Sequence, residues 1–217
     1  ERLVVDGGTV KSVVDVSGSK GCGFTHECEY IFGEDGSVTL KNKVVPYGTL
    51  PELPRLGLSM RLAKSFGNVR WYGRGPHENY IDRATSAFFG IWASDVKGLF
   101  TEYVRPQDNG YRTGARWVEF TGEDGAGVRF VQSEPISFQA LEYGWDELYS
   151  ARHLSGERRR NTPLVPEDAT LLNIDIRQTG LGGGSCGPGP LNQYRFDAAA
   201  TVEWTLRLSP AAAVIIK

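Results

Sequence analysis

Arg55-Leu56-Gly57-Leu58-Ser59-Met60-Arg61-Leu62 is the stretch that decides the architecture. Every second residue is large and apolar, and Arg, Gly, Ser and Arg stand between them. A period of two marks a β-strand with one face in a core and the other toward solvent or a cleft. The pattern returns at Leu172, Ile174 and Ile176, alternating with Asn173, Asp175 and Arg177. It returns again at Val202, Trp204, Leu206 and Leu208, alternating with Glu203, Thr205 and Arg207. Leu3-Val4-Val5 also reads as strand. Gly33-Glu34-Asp35-Gly36 separates strand-like residues 25–32 from 37–45, and Glu123-Asp124-Gly125 separates 115–120 from 126–132. Both read as antiparallel hairpins. A short exposed helical turn is predicted over residues 145–152, and the charged, proline-containing residues 155–168 read as a surface loop. Many strands joined by short turns predict an all-β chain, a large antiparallel sandwich forming a single domain over residues 1–217.

The chain is long enough to bury a substantial core. Its 24 basic and 26 acidic residues leave a net charge of −2, which excludes a strong field for nucleic acid or an anionic membrane. No apolar run is long enough to span a bilayer as a helix. Cys22, Cys28 and Cys186 are odd in number and fit no zinc spacing, so neither a disulfide framework nor a metal site is expected. They lean toward a reducing compartment. The sequence opens inside a strand-like stretch without Met, and reads as a fragment of something longer.

Three polar, glycine-rich runs carry the candidate chemistry. They are Trp71-Tyr72-Gly73-Arg74-Gly75-Pro76-His77-Glu78-Asn79-Tyr80, Val104-Arg105-Pro106-Gln107-Asp108-Asn109-Gly110-Tyr111-Arg112, and the stretch from Asn173 to Pro188. Flat rings beside guanidinium, carboxamide and carboxylate groups suit a sugar-binding surface. Arg74, His77, Asn109, Arg112 and Asp175 are the candidate sugar-facing residues. Each has a plainer alternative: Arg74, Arg105, Arg112 and Asp175 as a network fastening long loops, and His77-Glu78-Asn79 as a turn held by side chain to backbone bonds. Among the five tryptophans, Trp204 and Trp117 read as core or half-buried, and Trp145 as the surface contact. Glu78, Glu142 and Asp175 are nominees for a glycoside-cleaving pair, but with 26 acids present the nomination is cheap and sequence does not set the spacing of roughly 5–9.5 Å that such a pair needs, so an autonomous glycosidase is rejected as the leading reading.

The chain resembles the C-terminal β-sandwich domain, or small chain, of the large β-galactosidases of glycoside hydrolase family two. Val44-Val45-Pro46-Tyr47-Gly48-Thr49-Leu50-Pro51-Glu52-Leu53-Pro54-Arg55-Leu56-Gly57, the Trp71 to Tyr80 run, Asp82-Arg83, the Tyr103 to Arg112 run and the Leu172 to Pro188 run carry the resemblance. It implies an antiparallel supersandwich, galactose mutarotase-like, shorter than usual at its start. It implies no catalytic residue here, because in that family both catalytic glutamates sit on a separate (β/α)8 barrel. Magnesium and sodium, used by the parent family, belong to those other domains, and no cofactor is expected in this chain. The implied partners are that barrel, in the same polypeptide or a large subunit, and a galactoside such as lactose; the parent is a possible homo-oligomer. A cytoplasmic or periplasmic location in a bacterium follows from the same resemblance. It places the loop Gly183-Gly184-Ser185-Cys186 at the substrate cleft, with Cys186 where several members carry a stacking Trp. Cys186 is then a cleft-wall residue, or else a small hydrophobe holding the loop. An independent carbohydrate-binding module is the rival expectation, and an aldose 1-epimerase a weaker one resting on architecture alone.

Overall fold

A computed structural model describes residues 2–103, 108–150, 164–183 and 187–211. Eleven strands follow in chain order: β1 (Arg2–Asp6), β2 (Thr9–Ser17), β3 (Gly23–Phe32), β4 (Val38–Tyr47), β5 (Arg55–Ala63), β6 (Asn68–Gly75), β7 (Phe88–Asp95), β8 (Arg112–Thr121), β9 (Gly127–Leu141), β10 (Ala169–Gln178) and β11 (Val202–Pro210). One α-helix, α1, spans Trp145–Ser150. All the pairings are antiparallel, in the order β1-β2-β3-β4-β11-β9-β8-β6-β7, with β10 bridging β9 to β5. The all-β antiparallel expectation holds, as do the hairpins at Gly33–Gly36 and Glu123–Gly125.

The long strand β9 is the junction of the sheet. Its first part, Val128 to Gln132, pairs with β11, and its last part, Ser137 to Leu141, pairs with β10. Residues 133–135 between them are exposed. Pro135 there has no N–H to give a ladder, so the change of partner falls where the backbone can least sustain one. Phe130, Phe138, Trp71, Phe120, Leu172 and Leu206 meet in one buried core that draws on both arms. A smaller core gathers Val44, Leu56, Phe196, Ala198 and Trp204.

The alternation in β10 holds only in part. Leu172 and Ile174 are buried as the period requires, but Asp175, on the opposite face, is buried too, at 3% exposure. That face is covered, and a register shift between Asp175 and Arg177 against β5 sets Ile176 out of step. The shift lies opposite Gly57, where a Cβ would stand 2.3 Å from the Ile174 carbonyl oxygen and from Asp175 Oδ1. Only glycine lets the two backbones approach so closely.

The outer side of the β6–β7 ribbon is less covered. Tyr72 and Ile91 face each other across the ladder, both exposed, and Tyr72 meets Phe89 edge-on at 5.3 Å. Phe88 is 73% exposed on β7, which among the described residues pairs only with β6.

Two outcomes follow from the packing. Phe130→Ala should cost about 3–5 kcal/mol in equilibrium denaturant unfolding, the range for a fully enclosed aromatic. Gly57→Ala should cost about 1–3 kcal/mol by forcing β5 and β10 apart, and should lower the thermal midpoint without changing the strand content seen by circular dichroism.

Candidate functional site

The period-two faces of β5 and β10 put Arg55, Gly57 and Ser59 beside Asn173 and Asp175. Arg55 opens β5 after the Pro51 to Pro54 stretch and donates from Nε and Nη2 to Asp175 Oδ2 at 2.8 and 2.7 Å. Tyr111 donates its hydroxyl to the same oxygen at 2.9 Å. Arg55 Nη1 donates to Gln139 Oε1 at 3.1 Å, and Asn173 Nδ2 to the same oxygen at 3.0 Å. Gln139 Nε2 in turn donates to Asp108 Oδ1 at 2.7 Å and to the Asn109 carbonyl at 2.6 Å. Burial raises the carboxyls of Asp175 and Asp108 above their ordinary range, against the pull of the Arg55 guanidinium. The guanidinium lies 5.2 Å from the Tyr111 ring centroid and 5.3 Å from that of Trp145, at the start of α1. Trp145 is 42% exposed, as a surface contact should be. These groups lie along a groove of mixed polar and apolar lining, floored by β5, β9 and β10, with Trp145 as one wall and Phe24, Val44 and Trp204 from β3, β4 and β11 at one end.

A second polar cluster lies under the loops around β6 and β8. Glu78 accepts the Gly110 N–H at 2.8 Å through Oε2, while its Oε1 contacts Arg83 at 2.6 Å and the Tyr103 hydroxyl. Asn79 is wholly buried: its Oδ1 accepts the Thr113 N–H and hydroxyl at 3.0 and 2.6 Å, and its Nδ2 donates to the His77 carbonyl. Asp82 accepts the N–H groups of Leu181 and Gly182 at 3.1 and 2.7 Å. Gly183 N–H donates to the Pro188 carbonyl at 2.8 Å, so the two ends of the glycine loop are drawn together and seated on Asp82.

The five sugar-facing candidates are not brought to one surface. Asp175 lines the groove. Arg74 donates to the Ala84 and Ala87 carbonyls at 3.3 and 3.2 Å. Arg112 is buried against Trp71 and donates to the carbonyls of Leu99, Gly110 and Pro76. Burial lowers its pKa to about 10. Asn109 bridges the N–H and carbonyl of Thr101. His77 is exposed, with Nε2 3.0 Å from Ser86 Oγ. Gly183 is described as the rim of the loop; Gly184, Ser185 and Cys186 lie outside the described residues, as does Arg105. Among the described residues no group of three or more His, Cys, Asp or Glu side chains is placed to hold a metal ion. No described helix is long and apolar enough to cross a membrane.

Sequence reasoning missed Arg55 and Tyr111 as partners of Asp175, and Gln139 as the acceptor that Arg55 shares with Asn173. The alternation of β5 and β10 already put Arg55 and Asp175 on polar faces. What it lacked was the pairing of two strands 120 residues apart.

Comparison with known proteins agrees with this framework. The family described as Beta galactosidase small chain matches residues 3–208. The β-galactosidase of Actinobacillus pleuropneumoniae is 33% identical over 189 residues, covering 87% of this chain and 17% of that protein. That of Priestia megaterium is 32% identical over 154 residues, covering 71% of this chain and 14% of the relative. This chain thus spans about one sixth or less of the length of these relatives. An aldose epimerase homologue from C. elegans superposes with a TM-score of 0.44 and 8% identity over 98% of this chain and 68% of its own, a likeness too slight to decide the chemistry. With nearly all of the sequence matched from the first strand to the last, the chain belongs to the β-galactosidase small chain family.

Proposed function

We propose that this chain is the non-catalytic C-terminal domain of a β-galactosidase that hydrolyses terminal β-D-galactosides. It packs on the catalytic barrel and completes the substrate cleft. The observation that carries the reading is its size against its relatives: it matches 14–17% of two β-galactosidases, and its described helix is a single one of six residues. A (β/α)8 barrel needs eight helices between its strands. The catalytic glutamates, and the magnesium and sodium of the parent, belong in this reading to the remaining domains.

The role of the domain is positioning. Asp82, in the turn between Tyr80 and Arg83, holds Leu181 and Gly182, so the loop that leads to Cys186 starts from an anchored point. A loop offered to the barrel in one conformation limits water access and shapes the aglycone side of the cleft without taking part in bond breaking. Cys186 presents a smaller face there than the Trp of several relatives, and so contributes less to stacking.

Purified chain should not hydrolyse nitrophenyl galactoside; turnover that survives removal of trace host enzyme would sink the reading. In a β-galactosidase that carries this domain, Asp82→Ala should raise KM for lactose several-fold. The domain's own unfolding midpoint should stay near that of the unmodified chain, because the bonds lost are exposed. Unchanged KM would show that the loop does not reach the cleft.

A further inference from the structure

The groove beside Arg55 and Asp175 has features that the covering role leaves unused. Two adjoining cavities of about 210 and 200 Å³ share Ser59, Asn173 and Trp145 as walls. Both arginines that line them are already engaged, Arg55 with Asp175 at 2.7 Å and Arg61 with Glu167. Among the described residues the groove therefore offers no free arginine to an anionic ligand.

What it does offer is donors and acceptors side by side. Asp175 Oδ2 takes three hydrogen bonds, while Oδ1 takes none among the described residues; the residue lines the groove although only 3% of it is exposed. Gly57 has no side chain to cover Oδ1, since a Cβ there would stand 2.3 Å from it. Asn173 uses one amide hydrogen on Gln139 and one lone pair on Ser59, which leaves one of each. His26 bonds Asn42 through Nε2 at 3.0 Å, leaving its other ring nitrogen. A hydroxyl both donates and accepts, so a ligand bearing several hydroxyls satisfies such a mixed set where a carboxylate or an ammonium ion would not. Beside these atoms stands one exposed flat face, the indole of Trp145, with the Arg55 guanidinium 5.3 Å from its ring centroid; the buried Trp204 ring, stacked on His26, backs the groove. Ligand pockets commonly run from roughly 300 to 1,000 Å³, so cavities of this size suit one ring and not an oligosaccharide.

We infer that the groove is a binding site for a single pyranose. The ring lays its apolar face on Trp145 and sets its hydroxyls against Asp175, Asn173 and Ser59. Neither Gly183 nor Gly187 lines these cavities, so the groove is a point of sugar contact apart from the described ends of that loop. An open groove with so few contacts gives millimolar affinity.

The test is titration of the 217-residue chain with methyl β-galactoside, followed by calorimetry and by the Trp145 indole N–H resonance. Saturable millimolar binding that moves that resonance is expected. Trp145→Ala and Asn173→Ala should each weaken it at least tenfold, with the unfolding transition still cooperative. Sorbitol, a linear polyol without a ring face, should give no response. Absence of any shift or heat at tens of millimolar sugar would overturn the inference, as would unchanged binding in Trp145→Ala or an equal response to sorbitol. Failure here leaves the covering role intact, since that role is read from hydrolysis and not from binding by the isolated chain.

Discussion

The contact between Arg55 and Asp175 is the constraint on which the architecture turns. It joins strands 120 residues apart and sits at 2.7 Å in a largely water-excluded place. Such a pair is poor evidence of net stability, since both charges lose their hydration. Its value is geometric. The guanidinium is a rigid fork, and its remaining donor finds Gln139 on β9, so three strands are fixed relative to one another by one side chain. Tyr111 and Asp108 extend the same network into the loop before β8. Breaking one partner would strand the others, because each satisfies the next.

The same logic holds in the second cluster, with backbone in place of side chains. Glu78, Asn79, Asp82 and Asn109 spend their oxygens largely on N–H groups of neighbouring loops. These are the groups that a loop cannot satisfy within itself and that must find partners when buried. The runs that stood out in the sequence for their mixture of rings and polar groups are therefore a set of reciprocal clasps. Arg74 and Arg112 belong to it as well, each giving its hydrogens to loop carbonyls.

Much of this was legible in the sequence, and the reason differs from element to element. The faces of β5, β10 and β11 were readable because a half-buried strand writes its burial as alternation. The hairpins were readable because turns demand particular residues. The burial of Asp175 was not legible, since alternation cannot tell a polar face on solvent from one folded under a second layer. Arg55 was passed over because its role depends on a partner strand, and long-range pairing leaves no periodic mark in a single chain. Gln139 was invisible for a related reason: in the buried end of β9 both faces are covered, so no alternation singles it out. Trp145 was found from its setting in a short exposed turn.

The ribbon of β6 and β7 has a practical side. Tyr72, Phe88, Phe89 and Ile91 are exposed at the end of the sheet, and the far side of β7 has a row of backbone groups with no strand beside them among the described residues. Such a margin is the kind that self-associates. Handled alone, the chain would owe its colloidal behaviour to this margin more than to its net charge of −2. Charged replacements at Phe88 and Ile91 are thus the natural route to a well-behaved isolated domain, since neither side chain belongs to the core or the groove.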